Sequence, residues 1–288
     1  MKQFLVTVLV AALVSFGTYK ITLHNNVTET KHETAYDRVI RTGTLRCGYG
    51  MWPPNILVKN PNTGKLSGAM VDIMEELGKN LKIKIDWAEE TGWGTWMEGL
   101  NTGRYDAFCA SAYRAAERGR LVQFTSPIYY NAIHAYVRAD DPRFDQGLGQ
   151  LNDSKFKIAT MDGEISARVA DRFFPNATKV SIPQMSEYDQ LFLNVTSKKA
   201  DIVFNERGVV EDFNNHNPGK LKRVNDKPFL LYSASLAVGI HEDALEHMLD
   251  SALIEMQDSG TIDEIFHKHN VSNAIFMSLA TPYKAEDK

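Results

Sequence analysis

Cysteine is scarce in this 288-residue chain: there are two, Cys47 and Cys109. No CxxC pair and no Cys/His cluster occurs, which argues against a structural zinc site, and no metal is expected. Both cysteines stand in apolar, strand-like runs and read as buried free thiols acting as small hydrophobes, although export would permit a disulfide. Positive charge is not in excess either. The chain has 32 Lys and Arg against 36 Asp and Glu, a formal net charge of −4, and no basic cluster, so no nucleic-acid partner is expected. A glycine-rich phosphate loop, a coiled-coil heptad and a long internal repeat are also missing, and no cofactor is expected.

One long uncharged run is present. Lys2 precedes Phe4–Tyr19, rich in Val, Leu and Ala. It suits the core of a signal peptide and falls short of the roughly 20 apolar residues that a membrane span needs. Ser15 and Gly17 offer small residues for cleavage, but no Ala-x-Ala stands there, so residues 1–20 read as a signal peptide or an uncleaved N-terminal anchor. Residues 21–35 are polar and aperiodic and read as a tether. The rest of the chain is expected outside the cytoplasm, in the periplasm.

From Tyr36 onward strand-like and helix-like segments alternate, which predicts α/β layers with mainly parallel sheets. Thr44–Tyr49 reads as a strand, 60–68 as a turn-rich excursion, and Ala69–Leu81 as a helix with Met70, Ile73, Met74 and Leu77 at helical spacing. Lys82–Trp87 reads as a strand, Trp93–Gly103 as a helix, and Ile133–Val137 as a strand ending in a charged, proline-containing break at 138–142. A second unit follows: strand Phe156–Thr160, a helix to Phe174, strand Lys179–Ile182, helix Ser186–Ser197 and strand Asp201–Phe204. Segments 228–232 and 234–240 lead into helices Asp243–Gln257 and Thr261–His269, and the tail shows no strong pattern.

The stretch Asp106–Tyr130 (DAFCASAYRAAERGRLVQFTSPIYY) is the most informative. An apolar run ends in small residues (Ala110, Ser111, Ala112), which let a ligand approach the backbone. Arg114–Arg120 favours a helix, whose start would direct free N–H groups and a positive dipole at the same spot. Arg118 would add a two-pronged grip on a carboxylate. Together these describe an anion site.

The chain resembles the periplasmic solute-binding proteins of polar amino-acid ABC transporters, the family 3, glutamine/histidine-binding type. The resemblance covers about Tyr36 to Asn270 and rests on the order of LRCGYGMWPP (45–54), GKLSGAMVDIMEEL (64–77), LNTGRYDAFCAS (100–111), ERGRLVQFTSPIYY (117–130), KKADIVFNE (198–206) and MQDSGTIDEIFHKH (256–269). It implies a type II two-lobed α/β fold, two βαβ lobes joined by two crossover strands. Lobe 1 would be 36–137 plus 234–270, lobe 2 138–233, and 271–288 a tail. A ligand would sit in the cleft and be buried by closure.

Carried over by position, Arg118 takes the place of the family's carboxylate-binding arginine, and Glu206 that of the second lobe's acid for the ligand ammonium. Trp52 and Trp93 fall at or near positions of covering aromatics, and Ser111 among backbone donors beside the arginine. The zwitterion logic agrees, since a buried carboxylate and a buried ammonium each need a partner. Arg207 and Lys222 are competing partners for Glu206. Tyr113 departs from the family's small hydroxyl residue, and Gly163-Glu164 from its Ser/Thr–Gly loop. The implied protein is a monomeric, non-enzymatic receptor that hands an amino-acid-like solute to an ABC permease. Two alternatives share the scaffold: a cyclohexadienyl dehydratase-like enzyme using Glu206 or Glu164 as a general acid, and a membrane-tethered sensor.

Overall fold

The computed structural model describes residues 33–60, 62–271 and 276–277. The expected signal peptide or anchor, most of the tether and nearly all of the tail lie outside the described residues. Folding into the main unit begins at Ala35, with a helix that the sequence reading passed over, α1 (Ala35–Thr42). Its first N–H groups, Ala35 and Tyr36, donate to the Glu242 carboxylate at 2.8 and 3.3 Å.

The first half is built from β1 (Thr44–Tyr49), the hairpin β2 (Leu57–Asn60) and β3 (Lys65–Ser67), α2 (Ala69–Leu81), β4 (Lys84–Glu90), α3 (Trp96–Asn101), β5 (Ala107–Tyr113) and β6 (Val122–Phe124). β4, β1 and β5 run parallel in that order. α2 spans the range expected, because Met70, Ile73, Met74 and Leu77 form one buried stripe. Its C-cap, Lys82, is left-handed (φ 56°) and donates its N–H to Gly78 and Lys79 carbonyls, so the strand starts later, at Lys84.

The second half contains β8 (Lys157–Met161), α4 (Ile165–Phe173), β9 (Thr178–Ile182), α5 (Tyr188–Thr196), β10 (Ile202–Glu206), α6 (Arg207–His216) and β11 (Leu221–Arg223). β10, β8 and β9 again run parallel. Two ten-residue strands, β7 (Tyr129–Arg138) and β12 (Leu230–Gly239), join the halves. β12 pairs with β5 through Ala234–Val238 and with β7 through Leu230–Ala234, while β7 pairs with β10 through Ile133–Val137. Segments 228–232 and 234–240 are thus largely one continuous strand. Helices α7 (Asp243–Asp258) and α8 (Thr261–Lys268) return to the first half, and β13 (Phe276–Met277) pairs with β7. His269, just past α8, bonds Asp72 through Nε2 at 2.8 Å and so ties the C-terminal helix to α2.

Two expectations fail. Arg114–Arg120 is not a helix; Arg118–Arg120 form one 3₁₀ turn, so this segment contributes no α-helix dipole to the site. Good helix formers in that segment carry no apolar stripe to bury, and Gly119 weakens it further. Second, Cys47 and Cys109 are not free thiols but a disulfide, with Cα atoms 5.5 Å apart across the parallel β1/β5 pair. The cysteines are 62 residues apart, so the bridge closes a long loop. Chain entropy then assigns it about 4 kcal/mol. Cys47→Ala/Cys109→Ala is expected to lower unfolding stability by roughly that amount, as read from denaturant midpoints; an unchanged midpoint would contradict it.

Candidate functional site

The parallel strands of both halves point their carboxyl ends at one crevice, as ligand sites do in open α/β sheets. Past β1 comes Trp52, past β4 Trp93, at the end of β5 Ser111 and Tyr113, past β8 Gly163 and Glu164, and at the end of β10 Glu206. β12, between the halves, adds Tyr232, and the first residue of α5 adds Tyr188. Trp52, Trp93, Ser111, Tyr113, Glu164 and Glu206 line a pocket with about 340 Å³ of free space, part of it open to solvent, together with Arg118. Of the eight residues expected from sequence, only Gly163 lies outside this wall. It lines a broader adjoining hollow of about 770 Å³ that shares Tyr113 and Glu164.

Arg118 is buried, with its guanidinium carbon 3.6 Å from the Tyr113 ring centre and 5.2 Å from that of Trp96. The ring of Tyr113 therefore does not merely fill space; it forms the face on which the cation stacks. Nη2 donates to the Gly163 carbonyl at 3.0 Å. Among the described residues no carboxylate lies within ion-pair distance of Arg118, and burial pulls its pKa down from the ordinary arginine value. Guanidinium stays protonated even so, which leaves a desolvated cation with N–H groups to offer.

Glu206 is the opposite pole. Its Oε2 accepts from Trp52 Nε1 at 2.9 Å and its Oε1 from the Tyr232 hydroxyl, which in turn accepts from Asn131 Nδ2 at 3.1 Å. The two cations expected to compete for it are engaged elsewhere: Arg207 with Glu211, Lys222 with Asp145. Burial pushes the Glu206 pKa up to about 7, helped by the neighbouring Glu164 carboxylate and opposed by the Tyr232 and Trp52 hydrogen bonds. An ammonium placed here would pull it back down.

Glu164 is also pushed up to about 7 by burial, against the Ser166 hydrogen bonds. It is the N-cap of α4, with Oε2 held by the Ser166 N–H (2.7 Å) and hydroxyl and Oε1 approached by Asn205 Nδ2 at 3.4 Å. Its Oε2 is held by its own helix, while the residue still lines the pocket wall.

Ser111 sits in the left-handed region (φ 57°), an uncommon place for a non-glycine residue and frequent at functional sites. Its hydroxyl pairs with that of Tyr129 at 2.8 Å. Trp93 lies across Gly50, where an added Cβ would stand 3.0 Å from its ring.

Contacts cross the crevice. Gly94 N–H donates to Gln184 Oε1 at 2.7 Å, and Arg168 pairs with Glu117. Gly163 (φ 77°) has Gly94 N only 2.3 Å from where its Cβ would stand. Gly163→Ala should therefore hold the two segments apart and weaken solute binding at least about tenfold, since closure would lose its contacts. Equal affinities by calorimetry would contradict this.

The sequence profile of the bacterial extracellular solute-binding proteins, family 3, matches residues 45–272. The chain belongs to that family. Its similarity to individual members is low. It is 24% identical over 216 residues to the ABC transporter glutamine-binding protein of Bacillus subtilis strain 168, covering 73% of this chain and 75% of the relative. Among solved structures, an ancestral amino acid-binding protein described as a precursor of cyclohexadienyl dehydratase superposes with a TM-score of 0.70 at 23% identity. It covers 82% of this chain and 98% of that one. An amino acid ABC transporter substrate-binding protein from Streptococcus pneumoniae, bound to L-arginine, gives 0.70 at 19%, covering 83% and 99%. The fold is thus the two-lobed α/β architecture of this solute-binding family.

Sequence reading missed Tyr232, Tyr188 and the Trp96 stack on Arg118. Tyr232 was hidden because its strand was broken in two at Ser233. Tyr188 gave only the signal of an aromatic at a helix start.

Proposed function

We propose that this is an extracytoplasmic receptor that captures a small amino-acid-like solute between lobes 36–137 plus 234–270 and 138–233 and delivers it to an ABC permease. The observation that carries this reading is the opposition, among the described residues, of a buried Arg118 without a carboxylate ion-pair partner to a buried Glu206 without a cationic one, at the mouths of the two half-sheets. A zwitterion satisfies both at once, with its carboxylate on Arg118 and its ammonium on Glu206. Trp52, Trp93, Tyr113 and Ser111 would then enclose it, while Gly163 and Glu164 support the loop behind. Membership of the family and its amino-acid-binding relatives support the solute class. β7 and β12 serve as the hinge in this account. Small-angle scattering tests it: radius of gyration should fall on adding solute, and identical profiles at saturation would contradict it.

One observation favours a second reading. Two buried carboxyls with pKa values near 7, Glu206 and Glu164, meet the requirement for a general acid at neutral pH. A dehydratase acting on arogenate or prephenate would show product on incubation; a receptor shows none. The receptor reading is preferred because Glu164 is engaged as a helix cap and Glu206 shares one pocket wall with the buried cation Arg118.

A further inference from the structure

We infer that the solute is a small amino acid with an uncharged side chain, in the range from glycine to serine or cysteine. This rests on the receptor reading above and narrows it by counting what the pocket has left after both ends of a zwitterion are held.

Three ionisable carboxylate or guanidinium groups line the wall: Arg118, Glu164 and Glu206. Arg118 and Glu206 are committed to the carboxylate and ammonium of the solute. Glu164 is turned to the protein: the Ser166 N–H and hydroxyl both hold its Oε2, and Asn205 Nδ2 stands 3.4 Å from its Oε1. Arg168, nearby in the adjoining hollow, is paired with Glu117. A guanidinium, imidazolium or carboxylate on the solute side chain would thus enter the pocket with no counter-charge, and burying such a group unpaired is costly.

Size points the same way. The space that a water-sized sphere can reach inside the pocket is only about 30 Å³, far below the ~300–1,000 Å³ of drug-sized small-molecule sites. Five rings (Trp52, Trp93, Tyr113, Tyr188 and Tyr232) wall it in. Tyr113 is fixed by its stack on Arg118, and Trp52 and Tyr232 by their bonds to Glu206. The remaining lining side chains with polar atoms are neutral, among them the Tyr188 hydroxyl and the Trp93 indole N–H. They suit a hydroxyl or thiol, or no side chain at all.

The test is a calorimetric panel on full-length protein freed of co-purified solute by denaturant washing and refolding. Glycine, L-alanine, L-serine and L-cysteine are compared with L-glutamine, L-histidine, L-arginine and L-glutamate, and quenching of Trp52 and Trp93 fluorescence provides a second readout. At least one of the first four should bind about 100-fold more tightly than each of the other four. If histidine, arginine, glutamate or glutamine bound as tightly as the best of the small four, this inference would be overturned and the receptor reading would stand. If none of the eight bound, the receptor reading itself would fail, and this inference with it.

Discussion

Arg118→Ala is expected to weaken solute binding by about 2–5 kcal/mol, or roughly 30- to 5,000-fold, while leaving the ligand-free protein as stable as before. The loss is large because the solute carboxylate would be desolvated with no partner. Stability should hold because the arginine contributes little to the unliganded fold. It is buried with no carboxylate within ion-pair distance among the described residues, and its polar contacts are to the Gly163 and, more weakly, Tyr113 carbonyls. Removing a buried charge of that kind relieves desolvation and offsets the lost stacking on Tyr113. Calorimetry and thermal melts on the same preparation check both halves. Unchanged affinity would remove Arg118 from the site.

Glu206→Gln separates receptor from enzyme and carries the pH dependence. In the receptor the carboxylate must be ionised to hold an ammonium. Its pKa without solute is pushed up to about 7, so below pH 7 binding must first release a proton. Affinity should therefore be flat above about pH 8 and fall by up to tenfold for each pH unit below 7. Glu206→Gln should cost roughly 3–5 kcal/mol at pH 8 and flatten the profile. Stability has the opposite sign. A carboxyl raised above its unfolded value stabilises fully at low pH and loses that contribution as pH rises through about 7. The ligand-free wild type should thus melt progressively lower across that window, and Glu206→Gln should lessen the drop. An enzyme using Glu206 as acid predicts otherwise: glutamine mimics the protonated form, so affinity survives and turnover disappears.

Much of this site was legible before any coordinates. A strand end marked by small residues placed Ser111 beside Arg118, and the family resemblance added Trp52, Trp93 and Glu206 by position. Parallel strands bring such ends to one edge whatever lies between them. Regular spacing likewise fixed α2, where four apolar side chains share a face. What failed depended on long-range partners. Arg114–Arg120 had helix-forming residues but no surface to bury against. The Cys47–Cys109 bridge required knowing that β1 and β5 are neighbours, which 62 intervening residues conceal. Glu164 looked available to a ligand until its own helix engaged it. Helix α6 escaped notice because its buried residues are few, Val209, Val210 and Phe213, amid polar ones.

The central claim is that one solute bridges Arg118 and Glu206. A crystal structure of the protein with its bound solute measures this most directly. The account predicts the solute carboxylate within about 3 Å of the Arg118 guanidinium and its ammonium within about 3 Å of the Glu206 carboxylate. A solute seated in the adjoining hollow beside Arg168 and Arg172, or one touching neither Arg118 nor Glu206, would contradict it.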